Sequence, residues 1–339
     1  MAEGQIYKIH SDFYYIDTGV ETFECKAREV LKKRKEKILV GDFVEFNDGY
    51  IEEIIPRKNY ISRPAVANLD QIIIVSALKE PDLSFQQLNR YIALAKYYKI
   101  PPVLCFNKND LKFDKILKTR IHDIYEPLGY KIVYTSATEH SGIKAFEKLL
   151  QDKTSVLCGN SGVGKSSLIN AINPNLNLRT KEVSGKTQRG THTTRHSEII
   201  KLNDTSRIVD TPGFSNVKFD FLLPADLDLL FDEIAQFRDG CKYADCLHFH
   251  EDGCNVLAHL SQIDETRYDS YLAFVEEAKE FKERIKYEGR KTEHSKKTVN
   301  NRTIAKISGK KRESARNTLK QKIIREIENE DEDEDEGIN

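Results

Sequence analysis

The sequence lacks long apolar runs: no stretch approaches the ~18–20 residues that a helix needs to cross a bilayer. Its first residues, Met1-Ala2-Glu3-Gly4-Gln5, offer neither a basic n-region nor an apolar h-region. The expected protein is therefore soluble and cytoplasmic, with no membrane partner. It also lacks a charge bias, with 53 Lys and Arg against 54 Asp and Glu. Net charge thus selects no class of partner, and only its distribution informs. Cysteine is sparse, at six residues in 339. Cys25, Cys105 and Cys158 are isolated in expected strands, where buried reduced thiols are usual. Cys241, Cys246 and Cys254 are clustered, which in a cytosolic chain points to metal before disulfide. The length accommodates two or three domains, each with its own core.

What is present is organised around residues 154–168, T-S-V-L-C-G-N-S-G-V-G-K-S-S-L. The apolar run Val156 to Cys158 reads as a buried strand, and Leu168, Ile169 and Ile172 follow at helical spacing. Between them Gly159-Asn160-Ser161-Gly162-Val163-Gly164-Lys165-Ser166 fits G-x-x-x-x-G-K-[ST] at every fixed position. Glycines let the backbone wrap around phosphates, and N–H groups at the helix start point at the anion. Lys165 is placed to neutralise the β- and γ-phosphates, Ser166 to hold Mg²⁺, and Ser167 to complete the loop. This is a nucleotide site.

Upstream, Gln5–His10, Phe13–Asp17, Thr22–Arg28, Asp42–Phe46 and Tyr50–Ile55 alternate as short strands between turn signals. Five strands in about fifty residues suggest a small antiparallel, OB-like barrel over 1–62. The basic run from Lys32 to Lys37 reads either as a solvated loop or as an RNA contact, and Arg57 to Pro64 reads as a linker. An α/β pattern then occupies 63–222. Gln71–Ala77 and Val103–Phe106 suit buried parallel strands, and Phe85–Lys99 places Leu88, Tyr91, Ile92 and Ala95 on one helical face. At the C-terminal end of the second strand, Asn107-Lys108-Asn109-Asp110 matches N-K-x-D, where ligands of open α/β sheets bind. The Asp110 carboxylate can accept from guanine's ring N–H and exocyclic amine, a pair of donors that adenine lacks, so an ATPase is disfavoured. A helix over Asp114–Glu126 and a strand over Lys131–Tyr134 lead to Thr135-Ser136-Ala137, similar to the loop whose backbone meets the guanine carbonyl.

Beyond the phosphate loop, Ser184–Arg195 reads as a mobile switch, with Thr193 or Thr194 sensing Mg²⁺ and the γ-phosphate. The strands Glu198–Leu202 and Ser206–Val209 follow. Asp210-Thr211-Pro212-Gly213 matches D-x-x-G, with Asp210 on Mg²⁺ through water and Gly213 on the γ-phosphate. N-K-x-D and the small-residue loop therefore precede the phosphate loop, the reverse of the ordinary order. This is a circular permutation, tolerated because packing depends on neighbours in space. Phe214 occupies the place of the water-orienting glutamine, which makes His192, beside Thr193, a candidate to supply that role; the bland alternative is that His192 only packs or contacts RNA.

The segment 223–290 opens with Cys241, Cys246, His248 and Cys254 spaced as C-x4-C-x-H-x5-C. Three thiolates and an imidazole suit a closed, tetrahedral, structural Zn²⁺ site, with His250 a geometric alternative to His248. Helical periodicity runs from Ile263 to Tyr287. The tail, 291–339, is basic and then acidic: 290–325 carry thirteen Lys or Arg against two Glu. It reads as disordered, either contacting nucleic acid or merely solvated.

Permuted GTPase motifs, a preceding barrel and C-x4-C-x-H-x5-C together resemble the ribosome small-subunit-dependent GTPase A (RsgA, or YjeQ) family over roughly residues 1–290. Val40-Gly41-Asp42-Phe43-Val44, Arg63-Pro64, Ala67-Asn68-Leu69-Asp70 and Gly190-Thr191-His192-Thr193-Thr194 carry the resemblance further. It implies an assembly factor that binds the maturing small subunit late, whose weak GTPase is stimulated by the subunit, and whose barrel and zinc domains contact ribosomal RNA. It implies GTP and GDP as ligands, Mg²⁺ with GTP, one structural Zn²⁺, and a monomer. The family usually has three consecutive threonines in the switch, and here the third is Arg195. The alternative function is an RNA-binding scaffold whose guanine nucleotide is structural and rarely hydrolysed.

Overall fold

The computed structural model describes residues 1–33, 37–62, 64–178, 197–203, 205–210, 219, 222–291, 296–299 and 302–305. Two compact units divide the chain, Met1–Val217 and Lys218–Asn339.

The first unit begins with five strands: β1 (Ala2–His10), β2 (Phe13–Asp17), β3 (Thr22–Ala27), β4 (Phe43–Asn47) and β5 (Tyr50–Ile54). Alternating inward residues Ile6, Ile16, Cys25, Val44, Phe46 and Ile51 fill one core. The strands pair in the order β1-β2-β3-β5-β4 and close because β4 returns to β1, Ala2 opposite Phe46 and Gln5 opposite Phe43. All neighbours are antiparallel except β3 and β5. This is a closed five-stranded barrel of OB type. A short helix, α1 (Glu29–Lys33), lies between β3 and β4 and drops Leu31, 2% exposed, into the barrel core. The start of the basic run is thus helical rather than looped, because its neighbour Leu31 has a core to reach.

The stretch expected to be a linker, Arg57 to Pro64, carries β6 (Tyr60–Ile61), which pairs with β7 (Val66–Ala67) just beyond it. Arg57 donates through Nε and a terminal nitrogen to the two Asp42 oxygens at 2.7 and 2.8 Å. Gly41 has φ +94°, and a Cβ there would stand 2.1 Å from the Ala67 carbonyl oxygen, so only glycine lets the barrel and β7 approach. Asn68 donates to the Gly41 carbonyl and accepts from the Lys58 N–H, and Asp70 accepts from the Thr154 N–H at 2.7 Å. A chain of hydrogen bonds therefore runs from the barrel to the strand carrying the phosphate loop. Asp42 is fully buried, so Arg57→Ala leaves a carboxylate without its counter-ion. The expected cost is about 3 kcal/mol of barrel stability, checked by denaturant unfolding followed in the barrel tyrosines. An unchanged midpoint would show that the barrel does not rest on this pair.

The α/β part contains β8 (Gln71–Ala77), α2 (Phe85–Tyr97), β9 (Pro102–Asn107), α3 (Ile116–Tyr125), β10 (Lys131–Tyr134), α4 (Ile143–Leu150), β11 (Thr154–Cys158), α5 (Lys165–Ile172), β12 (Glu198–Lys201) and β13 (Arg207–Asp210). Strand order is β10-β9-β8-β11-β13-β12, parallel except for β12, and the sheet continues into the barrel where Lys8 of β1 pairs with Glu198 of β12. The strands are β-branched and buried on both faces, as parallel strands should be: Ile72, Ile73, Ile74, Val75 and Val156 are fully buried. The direction of strand addition reverses between β8 and β11. The crevice beyond the carboxyl ends of such strands is where open α/β sheets place ligands.

In the second unit, α6 (Asp232–Arg238), α7 (Asn255–Ala258) and the long α8 (Glu265–Lys291) surround an aromatic core. Phe219 lies 4.7 Å from Phe274, and Phe231 meets Tyr271 edge-on at 5.6 Å between ring centres. Arg267, 1% exposed, donates to Glu233 at 2.6 Å and lies over the Phe231 ring. In the tail, β14 (Lys296–Val299) and β15 (Arg302–Ala305) form a two-stranded ribbon, and the rest of 291–339 after Lys291 lies outside the described residues.

Candidate nucleotide site and metal centre

The phosphate loop leaves β11 at Gly159 and enters α5 at Lys165. Gly159 has φ +139°, and a Cβ on it would fall 2.0 Å from the Val75 carbonyl of β8. Gly164, at φ +94°, is the residue before the helix, where a Cβ would meet Asn107 Nδ2 at 2.3 Å. Both glycines are therefore demanded by close backbone approach as well as by conformation. Lys165 Nζ donates to the carbonyls of Gly159 at 2.6 Å and Asn160 at 3.0 Å, which holds the ammonium inside the loop. Ser166 and Ser167 occupy the first turn of α5, half-buried, and Ser161 is exposed at the loop tip. Tyr91 of α2 donates to the Asn160 side chain at 3.2 Å. Cys158, under the loop, is fully buried, and burial pushes its thiol well above the ordinary value, so it stays neutral and reduced.

N-K-x-D follows β9 in the same crevice. Asn107 is buried, and its Nδ2 donates to the Val163 carbonyl at 2.9 Å, bracing the phosphate loop. The orientation of that amide is set by the Thr135 hydroxyl, which donates to Asn107 Oδ1 at 3.1 Å. Lys108, at φ +60°, donates to the Glu80 carbonyl, and the Asn109 N–H to the Thr135 carbonyl at 3.0 Å. Asp110, half-buried, comes next. The small-residue loop is built by the Ser136 N–H on the Ser141 carbonyl and the Glu139 N–H on Ser136 Oγ, which leaves Ala137 beside it half-buried. Three loops expected from separate stretches of sequence thus meet at the β8–β11 reversal. Asp210 ends β13 opposite Glu198. The Asp210 side chain, His192, Thr193, Thr194, Gly213 and Phe214 lie outside the described residues.

In the second unit Cys241, Cys246, His248 and Cys254 bring one ligand atom each within 4.8 Å of one another. Cys241 and Cys254 Sγ are 3.9 Å apart, and His248 Nδ1 lies 3.6 and 3.5 Å from them. Zinc bonds of about 2.3 Å to sulfur and about 2.0 Å to nitrogen put tetrahedral ligand edges near 3.5–3.8 Å, so the four residues fit that metal. The Asn255 and Leu257 N–H groups donate to Cys241 and Cys254 Sγ at 3.3 and 3.4 Å, favouring thiolates. On the far side of the imidazole, Asp228 Oδ2 lies 3.4 Å from His248 Nε2, an arrangement that fixes tautomer and ring orientation in metal sites. His250 is not in the cluster; its N–H donates to Glu251. Burial opposes charge on Glu251, but donation from Leu247, Phe249 and His250 N–H groups outweighs it and holds the carboxyl at about 2. Tyr268 and Tyr271 hold the His248 and Leu247 carbonyls at 2.6 and 3.0 Å. The sequence reading missed Asp228, Glu251 and these tyrosines: no spacing rule joins them to the ligands, although an acidic residue inside the His–Cys interval was a signal for Glu251.

The sequence model described as RsgA GTPase matches residues 54–220, and that of the RsgA N-terminal domain matches 3–51. A third, described as 50S ribosome-binding GTPase, matches 154–299. A small ribosomal subunit biogenesis GTPase RsgA from Alkaliphilus metalliredigens is 40% identical over 288 residues, covering 82% of this chain and 98% of that protein. That from Shouchella clausii is 39% identical over 293 residues, covering 84% of this chain and all of the relative. The chain belongs to the RsgA GTPase family. Among solved structures, YjeQ from Thermotoga maritima is similar at 34% identity with a TM-score of 0.68, over 82% of this chain and 98% of its own. YloQ, described as a circularly permuted GTPase, matches at 33% and 0.68, over 83% and 96%. The RsgA-like segments around Gly41-Asp42 and Asn68-Leu69-Asp70 are those that fasten the barrel to β11.

Proposed function

We propose that this chain is a cytoplasmic, monomeric GTPase that binds the small ribosomal subunit through ribosomal RNA and assists its late maturation. The observation that carries the guanine reading is the Asn107–Val163 hydrogen bond, which seats N-K-x-D against the phosphate loop. The named relatives support the ribosomal partner. No helix among the described residues is long and apolar enough to cross a membrane.

In this reading Asp110 selects the base, with Ser136 and Ala137 at its carbonyl edge. Backbone N–H groups from Asn160 to Ser167 cradle the phosphates, and Lys165 leaves its carbonyl partners for the β- and γ-oxygens. Ser166 and Asp210 would hold Mg²⁺, which would supply charge stabilisation to the phosphoryl group in transfer. Gly213 and Thr193 or Thr194 report the γ-phosphate. Phe214 cannot orient water, so turnover by the isolated chain is slow and His192 supplies the missing contact on the subunit. The domain limits that fit this reading are 1–62, 63–222, 223–290 and 291–339, with one structural Zn²⁺ held by Cys241, Cys246, His248 and Cys254.

Multiple-turnover phosphate release, with and without purified small subunits, tests it. Subunits should accelerate release by at least about a hundredfold, equivalent to 2.7 kcal/mol or more of barrier. His192→Ala should lose most of that gain while keeping GTP affinity and subunit binding. Release that subunits leave unchanged would favour the scaffold reading. Full stimulation of His192→Ala would move the water-orienting group to the ribosome.

A further inference from the structure

Barrel and GTPase sheet meet a second time, away from the hydrogen-bond chain through Arg57 and Asp70. Glu198 of β12 is the register partner of Lys8 on its barrel side and of Asp210 on the other. Lys8 Nζ stands 3.5 Å from the Glu198 carboxylate. At the opposite end of β12, Lys201 Nζ reaches Asp17 of β2 at 2.7 Å. The Asp17 side chain is 7% exposed and also accepts from the Gly19 N–H, so its charge depends on these partners. Two ion pairs on two barrel strands thus clamp one four-residue strand.

That strand is unusually placed. In sequence it separates the Ser184–Arg195 stretch from Asp210-Thr211-Pro212-Gly213, the two segments read as answering to the γ-phosphate. It pairs along its whole length with β13, Glu198 to Lys201 opposite Asp210 to Arg207, but with the barrel at a single register position. A displacement of the β12–β13 hairpin would therefore reach the barrel through this junction, where one register pair is completed by two ion pairs. The first attachment, through Asp42, Arg57 and Asp70, anchors the barrel to β11 and so provides the fixed point against which such a displacement acts.

We propose that the β1–β12 junction couples the phosphate state of the nucleotide to the orientation of the barrel. Resting on the reading of the barrel as an RNA-contacting domain, occupation of its surface then biases the γ-phosphate site, and the γ-phosphate biases the barrel by the same factor, since coupling between two binding sites is reciprocal.

The decisive test uses the full chain alone, with GDP and a non-hydrolysable GTP analogue as probes. Lys201→Glu faces Asp17 with like charge, and Lys8→Glu does the same to Glu198. Both positions are about half exposed, so neither change removes core packing. Each variant should change the ratio of analogue to GDP affinity by about threefold or more, a factor at the lower edge of measured couplings, whereas Lys201→Arg should keep the ratio of the unaltered chain. A change below about threefold in both glutamate variants overturns the proposal. A second arm measures small-subunit affinity in each nucleotide. If the unaltered chain prefers one nucleotide state on subunits and Lys201→Glu abolishes the preference, the junction carries it. If the unaltered chain fails to bind subunits at all, the ribosomal reading falls, while the affinity ratio still decides the junction.

Discussion

Cys246→Ser should leave the second unit unfolded while the nucleotide site keeps its affinity. Its four candidate ligands come from a stretch with little regular structure: α7 has four residues, and the loops around it are pinned by Glu251, Tyr268 and Tyr271. Burial pushes the Cys246 thiol up to about 12, so without a metal this ligand is a desolvated neutral thiol that adds little to hold the cluster together. Apparent zinc binding energies for small structural sites are about 10–16 kcal/mol, as large as the whole stability of a typical domain, about 5–15 kcal/mol. Losing one thiolate should therefore exceed what the Phe231–Tyr271–Phe274 core can offset. Freshly purified protein should carry about one zinc per chain. The variant should lose the zinc and become protease-sensitive across 223–290, with GTP affinity changed less than about twofold. Unaltered protein free of zinc would show that the cluster is not a metal site, and a variant as protease-resistant as its parent would show that the metal does not hold this unit folded.

Asp110→Asn should weaken GTP and give xanthine nucleotides a relative advantage. A carboxylate accepts from both the ring N–H and the exocyclic amine of guanine, whereas an amide turns one acceptor into a donor and faces the amine with its own N–H. Hydrogen bonds to charged groups contribute about 1.5–3 kcal/mol, so GTP affinity should fall by roughly tenfold to a hundredfold. Xanthine carries a carbonyl where guanine has the amine, and that carbonyl can take the new donor. Competition between the two triphosphates for one fluorescent analogue measures the switch directly. Equal GTP affinity in variant and parent would place the base elsewhere than beside Asp110.

Local chemistry explains why the loops of the candidate nucleotide site were legible from residues alone. A phosphate loop needs glycine where the backbone approaches its neighbours, and Gly159 and Gly164 sit where a Cβ would strike Val75 or Asn107. N-K-x-D and C-x4-C-x-H-x5-C are likewise short spacings dictated by a ligand's geometry. Strand alternation made the barrel readable, since Ile6, Ile16, Val44 and Ile51 fall on one face. The attachments were not legible. Arg57 and Asp42 look like ordinary surface charges until folding buries the carboxylate. Thr135 reads as one small residue in a loop, but its hydroxyl sets the Asn107 amide across 28 positions. Asp228 stands 20 residues from His248 with no periodicity to connect them. Partners of this kind are chosen by tertiary neighbours, and a linear pattern does not record them.

The strand order has a consequence for how the chain matures during synthesis. Domains fold as units while the chain emerges N-terminus first. The barrel strands come first, and then β8, beside which β9 and then β10 add in turn. The half of the sheet that carries N-K-x-D can therefore assemble before the phosphate loop is translated. β11 next finds the vacant flank of β8, and the β12–β13 hairpin arrives as a unit to extend that flank. No late strand has to prise apart two that are already paired. In the unpermuted order the N-K-x-D strand would be made after the phosphate loop; here it emerges before it, and the phosphate loop is completed onto a nascent platform that already carries its brace, Asn107.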